Sequence, residues 1–213
     1  MFSQYLREPF SGLSHLLGAL LSLIALSYML NRLPEIGTTS YFISYLVFGI
    51  SMFVMFTSSA VYHLVKTDDE GIKKLKRIDH IAIFVMIAGS YTPFILLGLK
   101  GAFAYWMFGL IWGIACLGIL MKIFWLHAPR WLSTCLYLGM GWAAMLMYEP
   151  LSQNLSAGSI NWLMWGGIAY SIGAVVYAGK WPNIHPKFGF HEVWHLFVLA
   201  GAACHFISIG FYL

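Results

Sequence analysis

Long apolar stretches alternate with short polar ones along the whole chain. The apolar runs fall at about residues 11–30, 41–65, 78–99, 102–121, 131–148, 160–179 and 190–212. Each is close to the roughly 20 residues that an α-helix needs to cross a hydrocarbon core. Within a run the apolar residues are continuous and do not alternate, which excludes a membrane β-barrel. The pattern predicts an all-α integral membrane protein, a seven-helix transmembrane bundle. Polar punctuation falls at residues 31–34, in the charged stretch 66–77, at Lys100-Gly101, at 127–130, at Glu149-Pro150 and at 181–186. Trp125, Trp131, Trp162 and Trp181 sit near run ends, where an interfacial aromatic belt places them. Gly109 and Gly113 form a GxxxG face on the fourth run and predict close packing against another helix. No internal repeat or low-complexity linker interrupts the pattern, so residues 1–213 are read as one domain.

Composition strengthens this reading. Of 213 residues, 60% are hydrophobic and 9% charged, and the mean hydropathy is +0.76. A soluble domain carries about 25% charged residues, so this chain has too few to cover a water-facing surface. The first run is long enough to span and has no small-residue cleavage site behind a basic segment, so it reads as a retained helix. Cys116, Cys135 and Cys204 all fall inside apolar runs and offer neither a disulfide framework nor a CxxC pair.

Charge sets the orientation. On one side of the seven-run ladder lie Arg7, Lys66, Lys73, Lys74, Lys76, Arg77, Lys122, Arg130, Lys180 and Lys187; on the other lie Arg32 and Lys100. Short cytoplasmic loops carry the excess of Lys and Arg. The N-terminus is therefore expected in the cytoplasm and the C-terminus outside. The net charge of +4 is spread over short loops and not gathered on one basic face, which argues against nucleic acid as a partner. The expected setting is the cell membrane, multi-pass, with membrane lipids as partners.

Polar residues inside a membrane are expensive and mark function. His191 and His195 are four apart and share one helix face. Neutral imidazole is the commonest metal ligand. Topology brings two more candidates to the same depth: His63 ends the second run, and Asp79 heads the third, across a shared loop. Three histidines and a carboxylate at one depth have the composition of a zinc site.

The motifs Ser59-xxx-His63, Asp79, Tyr91-Thr92-Pro93-Phe94 and His191-xxx-His195 resemble the progestin and adipoQ receptor superfamily. Ser14-His15 near the start, with the overall length, resembles its bacterial hemolysin III branch. The resemblance spans essentially the whole chain. It implies a seven-helix fold with Zn²⁺ held by His63, His191 and His195, with Asp79 holding the water at the metal and Ser59 beside it. The adiponectin receptors of that superfamily are regarded as ceramide hydrolases, and the alkaline ceramidases share the constellation.

His191-Glu192-Val193-Trp194-His195 also fits the HExxH pattern of zinc metalloproteases. That reading needs a third ligand, usually downstream, and His205 is the only downstream histidine. Glu192 is taken as an incidental match. His15, His80 and His205 are expected to pack around the site and not to ligate. Three function classes stand: a zinc-dependent hydrolase of lipid amides or esters, with Asp79 and Ser59 as catalytic residues; a receptor-like or membrane-homeostasis protein with structural zinc; and a cytolysin. The last is disfavoured, because the runs carry no continuous polar stripe.

Overall fold

In the computed structural model, which describes residues 6–36, 38–186 and 188–213, the chain is all-helical apart from an isolated bridge between His185 and Phe188. Helix α1 spans Pro9–Asn31, α2 Thr39–Leu64, α3 Asp69–Gly98, α4 Gly101–Phe124, α5 Arg130–Trp142, α6 Tyr148–Asn154, α7 Ala157–Gly179 and α8 Phe190–Tyr212. A single helical turn, Leu33–Ile36, links α1 to α2, and a 3₁₀ segment, Ala143–Met147, joins α5 to α6. Among the described residues, α1, α2, α3, α4, α7 and α8 are long and apolar enough to cross a membrane. Lys187 of the charge ledger lies outside the described residues.

The charged stretch 66–77 was expected as a loop, but it is helical from Asp69 onward. The local chemistry explains it. Asp68 caps the helix, its Oδ1 accepting from the Gly71 N–H at 2.9 Å, and Asp69 and Glu70 place negative charge in the first turn. Glu70 pairs with Lys74 at 2.8 Å, one helical turn on. So α3 extends more than two turns beyond its apolar run.

The run 131–148 is broken and also longer than expected. Helix α5 stops at Trp142 because the Tyr91 hydroxyl of α3 reaches its last turn, 2.6 Å from the carbonyl oxygens of both Met140 and Gly141. A side chain inserted into the i→i−4 ladder is a standard cause of a break. The helix resumes through Pro150, which falls in the first turn of α6, where its missing N–H costs no intrahelical bond.

Sequence neighbours pack against each other along α1–α2–α3–α4, α7 pairs closely with α8, and α8 returns against α1. Gly18 on α1 allows the approach of Phe56 from α2 and Leu199 from α8; a Cβ there would come within 3 Å of both. The closed ring sets α3 and α8 facing each other with little direct contact. The predicted packing of Gly109 and Gly113 is not found: α4 turns both outward, with no atom within 4 Å of a Cβ built on either. Trp125, Trp131 and Trp181 are exposed, as belt residues are.

Candidate metal centre

The ring of helices brings three distant points to one place. His63 is the penultimate residue of α2, and His191 is the second residue of α8, with His195 one turn on. Their Nε2 atoms converge. His191 Nε2 lies 3.4 Å from His63 Nε2 and 3.2 Å from His195 Nε2. One ligand atom from each of the three lies within 4.8 Å of the others. His63 and His195 are buried, and His191 is partly so.

The arrangement fits a metal ion. Metal–nitrogen bonds of ~2.0–2.1 Å at tetrahedral angles place ligand nitrogens about 3.3 Å apart. The tautomer of His63 points the same way. Its Nδ1 is bonded to the Glu8 carboxylate, which puts the ring proton on Nδ1 and leaves a lone pair on Nε2. That lone pair can accept an N–H from His191 or bind a cation shared with the other two imidazoles. The cluster could therefore hold a metal ion.

Glu8 is the residue the sequence did not reveal. It precedes Pro9, at the N-cap of α1, and no spacing relates it to His63. The strap is well tied. Glu8 N–H donates to the His63 carbonyl at 2.9 Å and Arg7 N–H to the Leu64 carbonyl at 3.3 Å. The Arg7 guanidinium sits 4.2 Å over the Tyr62 ring and 3.5 Å from Glu8 Oε1. The hydrogen bond to His63 outweighs the opposing effect of partial burial and holds the Glu8 carboxyl below the ordinary range. A carboxylate behind a ligating histidine fixes ring orientation and raises ligand basicity.

Asp79 is buried on the inner face of α3, close to the Ser59 hydroxyl of α2. Its oxygens do not join the close group formed by the three imidazoles. His15 stacks on His195, with centroids 3.8 Å apart, and Phe56 meets His15 edge-on. Glu192 is engaged elsewhere: its Oε2 accepts from Gly189 N–H at 2.9 Å, closing the cap of α8, and its Oε1 accepts from Ser11 Oγ at 3.1 Å. His205 lies three turns below, between Phe94 and Tyr170, and is no part of the cluster.

The cluster opens into a cavity of about 440 Å³ enclosed by α3, α5, α7 and α8. The lining is mostly apolar. Along α3 it runs from Lys76 to Phe94, and along α8 from His191 to His205, or about 27 Å and 21 Å at a rise of about 1.5 Å per residue. Ser59, Asp79 and the three histidines all line this one cavity. Trp142, Met145 and Ile168 line it and are also exposed on the outer surface, on the side where α5 and α7 meet.

The profile of the family described as "Haemolysin-III related" matches residues 3–206. The chain belongs to this family. It is 38% identical over 208 residues to the "Hemolysin-3 homolog" of Bacillus subtilis (strain 168), covering 96% of this chain and 93% of that one. It is 36% identical over 212 residues to "Hemolysin-3" of Bacillus cereus, covering 99% and 94%. It is also 28% identical over 171 residues to the human "Monocyte to macrophage differentiation factor", covering 78% and 69%. Family and apolar helices together make it a multi-pass membrane protein of the haemolysin III type.

Proposed function

We propose that this haemolysin-III-type protein is a zinc-dependent hydrolase of lipid amides or esters. His63, His191 and His195 hold the metal, and the substrate enters from the cytoplasmic leaflet. In this reading α5, the 3₁₀ segment and α6 together make one crossing. That gives seven crossings, a cytoplasmic N-terminus and an external C-terminus.

The carrying observation is the convergence of three Nε2 atoms at one end of a long, mostly apolar cavity, with a buried carboxylate in the wall that does not close on them. Three protein ligands with an open position are the mark of catalytic zinc, whereas structural sites are closed. Zinc in such a site supplies a Lewis acid and lowers the pKa of a water at the open position to ~7. Asp79 would be the group that orients a water in the cavity and accepts its proton. Ser59, which lines the cavity close to Asp79, steadies the carboxylate. Glu8 holds His63. The apolar walls along α3 and α8 take the acyl chain and keep bulk water away from the scissile bond, and a lipid enters from the side where α5 and α7 meet.

The test is a metal analysis coupled to turnover. Purified protein should contain about one zinc per chain and release fatty acid from a lipid amide or ester. A chelator should abolish release, and added zinc should restore it. Stoichiometric zinc with no turnover on a panel of both bond types would leave a structural site.

A further inference from the structure

Lys122 was counted among the loop charges that set topology, yet it sits on the last turn of α4 with its side chain 1% exposed. Its Nζ donates to Ser133 Oγ at 2.6 Å. An ammonium has three donors, and among the described residues no carboxylate lies within 4.0 Å of this one. Both Lys122 and Ser133 face the cavity. Two further basic groups line the same end, Lys76 and His80, and both lie within electrostatic range of Lys122. The His80 Nδ1 is buried without a partner. Ser133 lies in the first turn of α5, whose N-cap is Pro129, with no capping side chain and no acid in that turn. A helix start of this kind favours negative charge.

A buried cation without a counter-charge is costly. That cost falls on Lys122, since Lys76 is only partly buried and has the Asp79 carboxylate within electrostatic range; the uncapped helix start adds to the positive potential around Lys122. The positive-inside bias does not account for it, because topogenic lysines need only be exposed at a helix end, as Lys74 is. The pattern is that of a site whose missing member is an anion.

We propose that the histidine end of the cavity binds a phosphate-class anion at Lys122 and Ser133, with Lys76 and His80 around it. The occupant is either the phosphate of a lipid headgroup or free phosphate. Lysine is a phosphate binder as a point charge, and a charge-assisted bond from a hydroxyl or imidazole completes the cradle. In the lipid case the proposal rests on the reading of the cavity as a lipid site, and it makes the substrate an anionic phospholipid and not a neutral ceramide-like amide.

The experiment uses the full chain in neutral-detergent micelles and reads the thermal unfolding midpoint, which rises with any ligand that binds the folded state. Three probes are compared: phosphatidate, diacylglycerol with the same acyl chains, and inorganic phosphate. Phosphatidate should raise the midpoint and diacylglycerol should not. Lys122→Met should weaken phosphatidate at least about tenfold, the loss expected for one charge-assisted bond, while Lys74→Met should leave it unchanged. If inorganic phosphate binds as well as phosphatidate with the same dependence on Lys122, the site stands and its occupant is soluble phosphate. Equal shifts from both lipids, or a full phosphatidate response in Lys122→Met, would overturn the proposal. Should Lys122→Met fail to fold, Ser133→Ala carries the same comparison. His191→Ala separates the two readings, because it should remove metal and turnover and still bind phosphatidate.

Discussion

The Glu8 carboxylate is bonded to Nδ1 of His63, joining the chain segment just ahead of α1 to the end of α2 behind the imidazole cluster. The bond fixes which nitrogen of His63 faces His191 and His195. Changing Glu8 should therefore be felt at the metal although Glu8 does not touch it. Glu8→Ala should lower zinc affinity by about 10–100-fold, the range for partners behind a metal ligand. Glu8→Gln, which keeps an acceptor but loses the charge, should fall between. Competition with a chromophoric chelator measures both. A Glu8→Ala protein with wild-type affinity would mean that packing alone orients His63.

The two zinc motifs that the sequence allows are separated by a second set of variants. His63→Ala should lose the metal, as should His191→Ala and His195→Ala. His205→Ala should keep it, because His205 stands between Phe94 and Tyr170 and outside the cluster. Glu192→Gln should keep zinc as well and cost about 1 kcal/mol of stability, the usual scale for a weakened helix cap. Zinc content by mass spectrometry reads all five. Loss of metal in His205→Ala with retention in His63→Ala would favour the HExxH reading.

The sequence carried the helices and the cluster for the same physical reason. A hydrocarbon solvent forces long apolar runs, and it makes each buried histidine conspicuous. His63, His191 and His195 could be placed at one depth by counting crossings alone. Three things were not legible. Glu8 acts through a bond across most of α1 and α2, and no periodicity encodes that. The 3₁₀ break after α5 depends on where the Tyr91 hydroxyl lands, which is a tertiary fact. Lys122 looked like an ordinary flanking charge, because sequence does not tell an inward lysine from an outward one. The charged start of α3 was legible in principle: Asp68, Asp69 and Glu70 ahead of Lys73 and Lys74 are a helix-start pattern, although it lies outside the apolar run.

Topology gives an independent check. A reporter fused after Leu213 should register outside the cytoplasm, and one inserted in the link at Lys66-Thr67, between α2 and α3, should register inside. The motive is the ten-to-two division of Lys and Arg between the two sides that the proposed seven crossings would give. A cytoplasmic C-terminus would mean that α5 and α6 do not cross together, and the common depth of His63 and His191 would need another arrangement of the helices.

Asp79 separates a catalytic from a structural metal. Its carboxylate is buried beside Ser59 and stands off the three nitrogens. Asp79→Asn preserves size and much of the hydrogen bonding and removes the basicity. If Asp79 takes a proton during hydrolysis, turnover should fall by about 10²-fold or more, while zinc content and the thermal midpoint stay near wild type. Ser59→Ala should fall less, because it loosens the carboxylate without removing it. The decisive comparison is made on one preparation, with zinc content, unfolding midpoint and fatty-acid release measured together. If zinc and stability fall together, Asp79 closes a structural tetrahedron. If turnover persists with zinc in place, the proton goes to another group, and Asp79 leaves the mechanism.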